Sequence, residues 1–310
     1  MRIAVVTPTR NRPEHIGRLV GSVLESTHPD LELTIVDQST DDRTQQAVAA
    51  AGGDRRVRYL HQAAKGRSRA LNYGIRASTG EAIAMTDDDC EPRRDWLEAI
   101  ARLLHDTAAD VICGKVSAMP HDPSQGYVLG YDPGSSRLIS GRRYSHRGFG
   151  LGANLAARRE AFDRIGYFDE MLGVGTSMPS GEDRDFLYRA ARKGCSVLLS
   201  PEPEVIHYGY RSYGEDGRDH GRSLAIGHSI AYVKYIRQGD AAALYHCLSD
   251  WLDQAGIIAG RVARRQRPLG FNRLRYMIAG VPYGIRHPLD PRTMVFVPPH
   301  LAKGSTPQKG

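Results

Sequence analysis

Three consecutive aspartates, Asp87, Asp88 and Asp89, follow a short apolar segment at residues 82–85. Carboxylates this close repel one another, and a carboxylate at the edge of a core loses part of its hydration. A cation such as Mg²⁺ or Mn²⁺ would neutralise them, and a cation held by one or two carboxylates usually shares its coordination with substrate phosphates. The spacing therefore favours a metal site that receives a diphosphate. The alternative interpretation is a solvated acidic turn.

The first half of the chain alternates two patterns that would position these aspartates. The predicted strands are residues 3–7, 33–36, 57–60 and 82–85, and the predicted helices are residues 16–24, 46–51, 69–77 and one that begins near Pro92. This alternation predicts an α/β fold with a mostly parallel, doubly wound (Rossmann-like) sheet and helices on both faces. Ligands of such sheets bind at the carboxyl ends of the strands, where Asp37 and the three aspartates fall.

The second half is less regular. Residues 120–147 are rich in Gly, Pro, Ser and Tyr and predict a long substrate loop or lid. Helices are predicted at residues 159–165 and 182–189, short strands at 197–199 and 205–207, and a helical, basic region after about residue 220. We divide the chain into residues 1–118 (nucleotide-sugar-binding half), 119–222 (acceptor and catalytic-base half), 223–302 (helical C-terminal extension) and 303–310 (disordered tail).

Composition excludes several classes of protein. The 310 residues are 41% hydrophobic and 25% charged, as in an ordinary globular protein. The four cysteines form no Cys-x-x-Cys pair, which argues against a zinc site and a disulfide framework. The first residues contain too short an apolar run for a signal peptide, and no segment is apolar enough to span a membrane. We expect a cytoplasmic protein.

The net charge of +7 is unevenly distributed. No acidic residue lies between Asp253 and Asp290. The arginines in that stretch are Arg261, Arg264, Arg265, Arg267, Arg273, Arg275 and Arg286. They could contact the inner membrane face, a polyanionic acceptor or nucleic acid, or form a solvated helix face. Because no nucleic-acid-binding motif accompanies them, we expect no nucleic acid partner.

Six short motifs carry a family resemblance. In chain order they are VVTPTRNR (5–12), IVDQSTDD (35–42), GRSRALNYGI (66–75), TDDDCEP (86–92), GANLA (152–156) and GEDRDFLYR (181–189). In this order and at this spacing they resemble family 2 glycosyltransferases of the GT-A fold. The resemblance covers residues 1 to about 210. It implies a nucleotide-diphosphate sugar as donor and a hydroxyl-bearing acceptor, which is a glycan, a lipid-linked molecule or a small molecule.

The resemblance implies a nucleotide site at the carboxyl ends of the first strands. Asp37 matches the aspartate that contacts the base or ribose, although an Asx turn is an alternative reading of it. The other residues expected at the nucleotide are Pro8, Thr9, Arg10, Arg12, Lys65, Arg67, Asp87 and Asp88. The two basic residues at 65 and 67 precede or open a helix, where cations and amide groups could meet a diphosphate.

The resemblance also implies a metal site that uses Mn²⁺ or Mg²⁺. Asp87 and Asp89 match the Asp-x-Asp motif, in which the last aspartate binds the metal and the first binds the ribose or a metal-bound water. His207 lies where some relatives have a further metal ligand. A histidine with a purely structural role is the alternative at that position.

Glycosyl transfer needs a base that deprotonates the acceptor hydroxyl. The family resemblance assigns this role to Asp183, with Glu182 orienting the acceptor or the backbone. The alternative for this pair is an ordinary acidic helix N-terminus. Gly152, Ala153 and Asn154 would lie near the donor sugar. Arg189 would contribute to donor or acceptor binding, or pair with a carboxylate.

We therefore expect a metal-dependent, inverting and non-processive transfer of one sugar, with a UDP-sugar as the favoured donor. The Gln-x-x-Arg-Trp motif of processive synthases is absent. A sugar-nucleotide nucleotidyltransferase is one alternative, although the first loop has no glycines. A non-catalytic nucleotide-sugar-binding protein is another, although binding alone has no use for a base. The oligomeric state is open, with a homodimer among the options.

Overall fold

The computed structural model describes residues 1–51, 53–140, 150–266 and 271–298. The first half contains the strands β1 (Ile3–Thr9), β2 (Leu31–Asp37), β3 (Val57–His61) and β4 (Ala82–Met85) and the helices α1 (Pro13–Leu24), α2 (Arg43–Ala50) and α3 (Arg67–Ala77). These strands are parallel and lie in the order β3-β2-β1-β4. Helices connect them because a parallel pair needs a crossover.

The sheet continues with strands of both directions. The next elements are β5 (Cys90–Pro92), α4 (Trp96–Asp106), β6 (Val111–Ala118), β7 (Gly126–Val128), β8 (Arg137–Ile139), a 3₁₀ turn at Gly152–Asn154, β9 (Leu155–Arg158), α5 (Ala161–Ile165), α6 (Glu182–Arg192), β10 (Val197–His207) and β11 (Tyr210–Ser212). The order extends as β4-β9-β6-β10-β5, and β8 also pairs with β10. β9 is antiparallel to both of its neighbours.

Side chains of the central strands alternate between two buried cores. In β1, Ile3 and Val5 pack in one core with apolar residues of α1 and α4. Ala4 and Val6 pack in the other core, with residues of α3 and α6. This alternation is the period of two that strands impose, and it places helices on both faces. The predicted α/β fold with a doubly wound sheet is confirmed.

Two predicted elements differ from the structure. Pro92 does not open a helix; it ends β5, which pairs with β10, and α4 begins at Trp96. The two short strands predicted at 197–199 and 205–207 are one strand, β10, whose pairing register with β6 shifts between Leu199 and Glu204. Both errors have the same cause, since pairing with a distant strand leaves little local sequence signal.

The C-terminal region is helical, as predicted. It contains α7 (Glu215–Ile236), α8 (Ala241–Ala263), α9 (Phe271–Arg286) and a small hairpin of β12 (Leu289–Asp290) and β13 (Val295–Phe296). Within the described ranges, no helix is long and apolar enough to cross a membrane. The predicted disordered tail at 303–310, part of the predicted lid and Arg267 lie outside the described residues.

Helix α7 is joined to α6 and the segment before it by buried charges. Lys234 has no exposed surface, and its ammonium lies 2.7 Å from Asp169 and 2.6 Å from Asp185. The predicted boundary between residues 222 and 223 falls inside α7. The part of α7 around Lys234 therefore packs with the main core, and the predicted division of the chain into domains stays a prediction.

Candidate active site

The candidate site lies at one edge of the sheet. Strands β1, β2 and β4 end there, and the antiparallel β9 begins there, because Met85 at the end of β4 pairs with Leu155 at the start of β9. The 3₁₀ turn at Gly152–Asn154 is thereby brought beside the aspartates that follow β4. Segments far apart in sequence meet because parallel strands share an edge.

Asp89 and His207 face each other at this edge. Cys90 and His207 are paired residues of the antiparallel strands β5 and β10, which places Asp89 beside the imidazole. Nε2 of His207 lies 3.4 Å from Oδ1 of Asp89, and Nδ1 lies 2.9 Å from the carbonyl oxygen of Leu129. Because Nδ1 donates to that carbonyl, Nε2 is directed at the carboxylate. Many metal-binding histidines are oriented in this way.

Gly209 leaves the space in which these two side chains meet. A Cβ atom at this position would lie 2.5 Å from Nε2 of His207 and 2.9 Å from Oδ2 of Asp89. Any other residue would therefore contact both polar atoms closely. A glycine that keeps a carboxylate and an imidazole accessible is consistent with a cation site, and oxygen with imidazole nitrogen is a donor set that suits Mn²⁺.

Cys90 is the third residue of this group, since ligand atoms of Asp89, Cys90 and His207 lie within 4.8 Å of one another. Burial and the nearby carboxylates raise the pKa of the Cys90 thiol well above its usual value, so the thiol stays protonated. Burial alone would raise the pKa of Asp89, but His207 and Arg12 lower it to about 2. The residues that fit a hard cation are therefore Asp89 and His207.

Arg12 compensates the middle and last aspartates. One of its terminal nitrogens lies 2.9 Å from Asp88 and 3.1 Å from Asp89, although 43% of the side chain is exposed. The hydroxyl of Thr9 donates to the second oxygen of Asp88 at 2.7 Å. Burial raises the pKa of Asp88 to about 6, and the charge of Arg12 opposes that rise. The first loop and the acidic segment thus form one cluster.

Arg67, in the first turn of α3, joins the acidic segment to α6. Its guanidinium lies 2.7 Å from Asp87 and 3.2 Å from Glu182. The same group donates to the carbonyl oxygen of Gly152 at 3.0 Å. A guanidinium can serve three partners at once because its donors form a rigid planar fork. Asp87 therefore pairs with Arg67, and the structure does not place it in the group formed by Asp89 and His207.

Asp183 and Glu182 open α6 beside this guanidinium. The backbone N–H of Gly152 donates to Oδ2 of Asp183 at 2.9 Å. Burial raises the pKa of Glu182 to about 7; Arg67 opposes the rise, and the charge of Asp183 adds to it. A Cβ at Gly152 would lie 3.0 Å from the guanidinium of Arg67, so a small residue is required at the junction.

Asp37 ends β2, as predicted, but its oxygens have partners within the chain. Oδ1 accepts from the backbone N–H of Ser39 at 2.8 Å and from its hydroxyl, and Oδ2 accepts from the hydroxyl of Tyr59 at 2.8 Å. The side chain is fully buried. This is the Asx-turn alternative, and contact with a base or ribose would require Tyr59 to move. The role of Asp37 in nucleotide binding stays a prediction.

Two residues expected near the donor sugar point elsewhere. Ala153 packs in the core with α1 and α4. Asn154 is 1% exposed; it accepts from Nε1 of Trp96 at 2.9 Å and donates to the carbonyl oxygens of Lys115 and Pro203. Because the side chain is buried and its oxygen and both N–H groups have partners within the chain, the expectation is corrected. In the 152–154 turn, Gly152 is the residue that contacts the candidate site.

For Arg189 the structure shows the carboxylate pair and not the role in donor or acceptor binding. It is fully buried and pairs with Asp185 one turn earlier at 2.8 Å. Its other nitrogens donate to the carbonyl oxygens of Ile165 at 2.7 Å and Tyr167 at 2.8 Å. The side chain fixes the segment before α6 and is not available to donor or acceptor.

The remaining predicted residues have simpler surroundings. Pro8 lies within β1 opposite Val36, and Lys65 is exposed just before α3. Nε of Arg10 is buried without a hydrogen-bond partner among the described residues. The sequence motifs do not single out Gly209. Its position two residues after His207, a candidate metal ligand, could have indicated that it lies at the site.

The comparisons with known proteins decide the family. A family model described as glycosyl transferase family 2 matches residues 4–166, which is more than half of the chain. The chain belongs to glycosyltransferase family 2. The predicted family is confirmed.

The relatives are distant. The uncharacterized glycosyltransferase alr2836 of Nostoc sp. is 27% identical over 174 residues, which is 53% of this chain and 53% of that protein. The glycosyltransferase AglE of Haloferax volcanii is 25% identical over 217 residues, 69% of this chain and 68% of AglE. The pre-mycofactocin glycosyltransferase of Mycobacterium tuberculosis is 27% identical over 212 residues, 66% of this chain and 42% of that enzyme. The chain thus matches about half the length of the first of these.

Solved structures share the fold. The mannosyltransferase PcManGT of Pyrobaculum calidifontis, in complex with GDP-Man and Mn²⁺, has a TM-score of 0.61 and 19% identity and covers 92% of this chain and 87% of its own. TarS 1-349 of S. aureus, in complex with UDP-GlcNAc, has a TM-score of 0.54 and 18% identity and covers 74% of this chain and 66% of its own. At this identity the likeness establishes the GT-A fold alone.

Proposed function

We propose that the protein transfers one sugar from a nucleotide-diphosphate sugar to an acceptor hydroxyl, with inversion and with a divalent cation. The observation that carries this proposal is the position of Arg67. It contacts Asp87 of the acidic segment and Glu182 next to Asp183. Arg67 thus holds the acidic segment, which suits a diphosphate and its metal, beside the helix start that contains the proposed base Asp183. A transfer between two substrates requires that these two parts lie side by side.

Asp183 is the proposed base. The N–H of Gly152 donates to one of its oxygens and the N–H of Arg184 to the other. These contacts fix the carboxylate. The nearby guanidinium of Arg67 interacts with its charge but forms its ion pairs with Asp87 and Glu182. An acceptor hydroxyl that donates to Asp183 would lose its proton to it as the oxygen attacks the sugar. Arg67 holds the neighbouring Glu182 in place.

Asp89 and His207 are the residues that would hold the cation. Their donor atoms suit Mn²⁺ or Mg²⁺, and Gly209 keeps the space beside them free. When bound, the metal stabilises the negative charge on the departing diphosphate. Arg12 pairs with Asp88 and Asp89 in this structure. Its side chain is long and partly exposed, so the guanidinium could bind a phosphate of the donor instead.

Inversion and the nucleotide are the finer parts of the proposal. One base beside one donor site suits a single displacement, which inverts the anomeric carbon. UDP is the nucleotide we propose: if Tyr59 moved away from Asp37, that carboxylate could accept a hydrogen bond from the imide N–H of uracil. The solved relatives carry UDP-GlcNAc or GDP-Man, so both bases are included in the test.

The first experiment is a thermal-shift panel of UDP, GDP, dTDP and CDP, each with and without Mn²⁺ or Mg²⁺. A ligand at a hundredfold excess over its Kd stabilises the folded state by about 2.7 kcal/mol. We expect a metal-dependent shift with UDP that is lost in Asp89→Ala. If a folded protein shifts with none of the nucleotides, the acidic segment is not a nucleotide–metal site and the proposal is wrong.

The second experiment separates catalysis from binding. Asp183→Asn keeps an oxygen that can accept from Gly152 but removes the base. We expect donor binding to be preserved, while turnover of the donor falls by about 10²-fold or more. Equal turnover by both proteins would exclude Asp183 as base, and binding without turnover in the wild type would favour a non-catalytic nucleotide-sugar-binding protein.

A further inference from the structure

Helix α8 exposes a continuous apolar stripe. The residues of the stripe are Leu244, Leu248, Leu252, Ala255, Ala259 and Val262, with Tyr245 at its edge. Their spacing of three or four residues puts them on one side of the helix. Leu252 is 72% exposed and Tyr245 is 68% exposed. The stripe runs along most of the helix and is open to solvent.

The stripe is distinct from the side of α8 that packs on the protein. The buried residues of α8 are Ala243, Cys247 and Gln254. At about 100° of rotation per residue, the middle of this buried side lies about a third of a turn from the middle of the stripe, and Cys247 lies about 60° from Leu244, the nearest residue of the stripe. The charged residues of the helix, such as Asp250 and Asp253, also lie at least about a quarter turn away. An amphipathic helix normally buries its apolar side. In the described part of the chain, other residues cover the side of α8 that contains Ala243 and Cys247 but leave the stripe exposed.

The end of α8 and the helix that follows it are cationic. Between Asp253 and Asp290 the chain has no acidic residue. The exposed arginines of this stretch in the described ranges are Arg264, Arg265, Arg273, Arg275 and Arg286. On α9, exposed apolar residues recur every seven positions at Phe271, Ile278 and Ile285. Exposed apolar side chains and uncompensated guanidinium groups therefore occur on the same two helices.

We propose that α8 lies flat on an anionic phospholipid surface, with its apolar stripe in the boundary between head groups and acyl chains and the neighbouring arginines at the lipid phosphates. Helices that lie in this boundary combine an apolar side with basic residues. Guanidinium groups bind phosphate oxygens in pairs of hydrogen bonds. Because α8 carries Asp250 and Asp253 and no described helix can span a bilayer, the contact is peripheral.

Charge favours lipid over a second copy of the chain. A two-fold dimer through the stripe would bring two arginine-rich ends into one assembly. The first turn of α8 offers no exposed acid to pair with them, because Asp240 is buried and accepts from the N–H groups of Ala242 and Ala243. Phospholipid phosphates would supply the missing negative charge. The contact does not depend on the proposed sugar transfer.

The test is co-sedimentation of the full chain with vesicles. We expect binding to phosphatidylcholine mixed with phosphatidylglycerol, and at least roughly tenfold weaker binding to phosphatidylcholine alone or at high salt, because salt screens the arginines. Absence of binding to the anionic vesicles at low salt overturns the proposal, whatever the donor experiments give. This result needs no variant and so does not depend on the folding of one.

Two variants locate the contact. Leu252→Glu puts a charge in the stripe, and Ile257→Glu puts the same charge on the opposite side of α8, at a residue that is 54% exposed. We expect Leu252→Glu to weaken vesicle binding roughly tenfold and Ile257→Glu to leave it nearly unchanged. Equal binding by both variants overturns the proposal. So does sedimentation equilibrium that finds a wild-type dimer, a monomeric Leu252→Glu variant and no binding to lipid.

Discussion

Nε2 of His207 lies 3.4 Å from Oδ1 of Asp89, and its other nitrogen is fixed by the carbonyl oxygen of Leu129. These two side chains come from segments more than one hundred residues apart, and pairing of β5 with β10 brings them together. Burial lowers the pKa of His207, but the hydrogen bond to Asp89, the charge of Asp89 and the carbonyl of Leu129 together outweigh burial and raise it. A proton shared by this pair occupies the position that a cation would take.

Gly209→Ala should weaken metal binding. The added Cβ would lie 2.5 Å from Nε2 of His207 and 2.9 Å from Asp89, so the two ligands must separate. Changes around metal ligands typically cost about 10- to 100-fold in affinity. Calorimetric titration of Mn²⁺ in the presence of UDP measures the effect. Gly221→Ala is the matched control, because a Cβ there meets nothing within 4 Å. Unchanged affinity in Gly209→Ala would remove His207 and Asp89 as the metal pair.

Arg67→Met should lower both stability and turnover. The change leaves the carboxylates of Asp87 and Glu182 without their cation, and breaking a buried ion pair costs about 3–5 kcal/mol. Misplacement of the two acidic segments should lower kcat by about 10²-fold. Urea unfolding and donor turnover measure the two effects. Arg58→Met is the control, since Arg58 is exposed and its side chain donates to the carbonyl oxygen of Ala77 at the end of α3, away from the acidic segments. Wild-type kcat in Arg67→Met would show that this bridge does not position the site.

The strands of the first half and the position of its aspartates could be predicted from the sequence. Local signals suffice there, because each buried strand is a short apolar run and ends in a polar residue such as Asp37. The meeting of Arg67 with Glu182 could not be predicted, since it depends on how α3 and α6 pack on the sheet. The sequence predicts that both residues belong to the site but does not predict that they contact each other.

The sequence also does not show that Asn154 and Arg189 bind groups within the protein and not a ligand. A motif identifies a position but does not distinguish a side chain that faces the ligand from one that holds the backbone of the motif in place. Asn154 binds Trp96 and two carbonyl oxygens, and Arg189 binds Asp185 and two carbonyl oxygens. Buried polar groups need such partners, and the partners come from distant segments.

Stability should fall as the pH rises through the titration of Glu182. Burial raises its pKa from about 4.5 in the unfolded chain to about 7 in the folded protein. The folded state therefore binds this proton more tightly, so the associated stability is fully present below about pH 4.5 and is lost as the pH rises to about 7. The full change is on the order of 3 kcal/mol. Urea unfolding across this pH range measures it.

The variant Glu182→Gln isolates that contribution. The amide does not titrate but can still accept from Arg67, so the slope of stability against pH should be smaller than in the wild type. The comparison uses slopes, because the absolute stabilities of the two proteins also differ through the lost charge. Parallel curves for the two proteins would mean that Glu182 has an ordinary pKa in the folded state.

Lys234→Met should be strongly destabilising. Lys234 is fully buried between Asp169 and Asp185, and its removal leaves two carboxylates partly uncompensated. Breaking such a contact costs about 3–5 kcal/mol, even though methionine fills a similar volume. Lys193→Met is the control: Lys193 is exposed and donates to one carbonyl oxygen, that of Arg292, so little change is expected. Urea unfolding of both variants measures the difference.

A second substitution tests whether the uncompensated charge is the cause. In Lys234→Met, the additional change Asp169→Asn removes one buried charge and keeps an oxygen that can accept from the N–H of Phe296. The double variant should therefore be more stable than Lys234→Met alone, although Asp169→Asn by itself destabilises the wild type. Arg189 still pairs with Asp185 in each protein, so that second charge stays compensated. Simple additivity of the two changes would mean that Lys234 stabilises α7 by packing and not by charge.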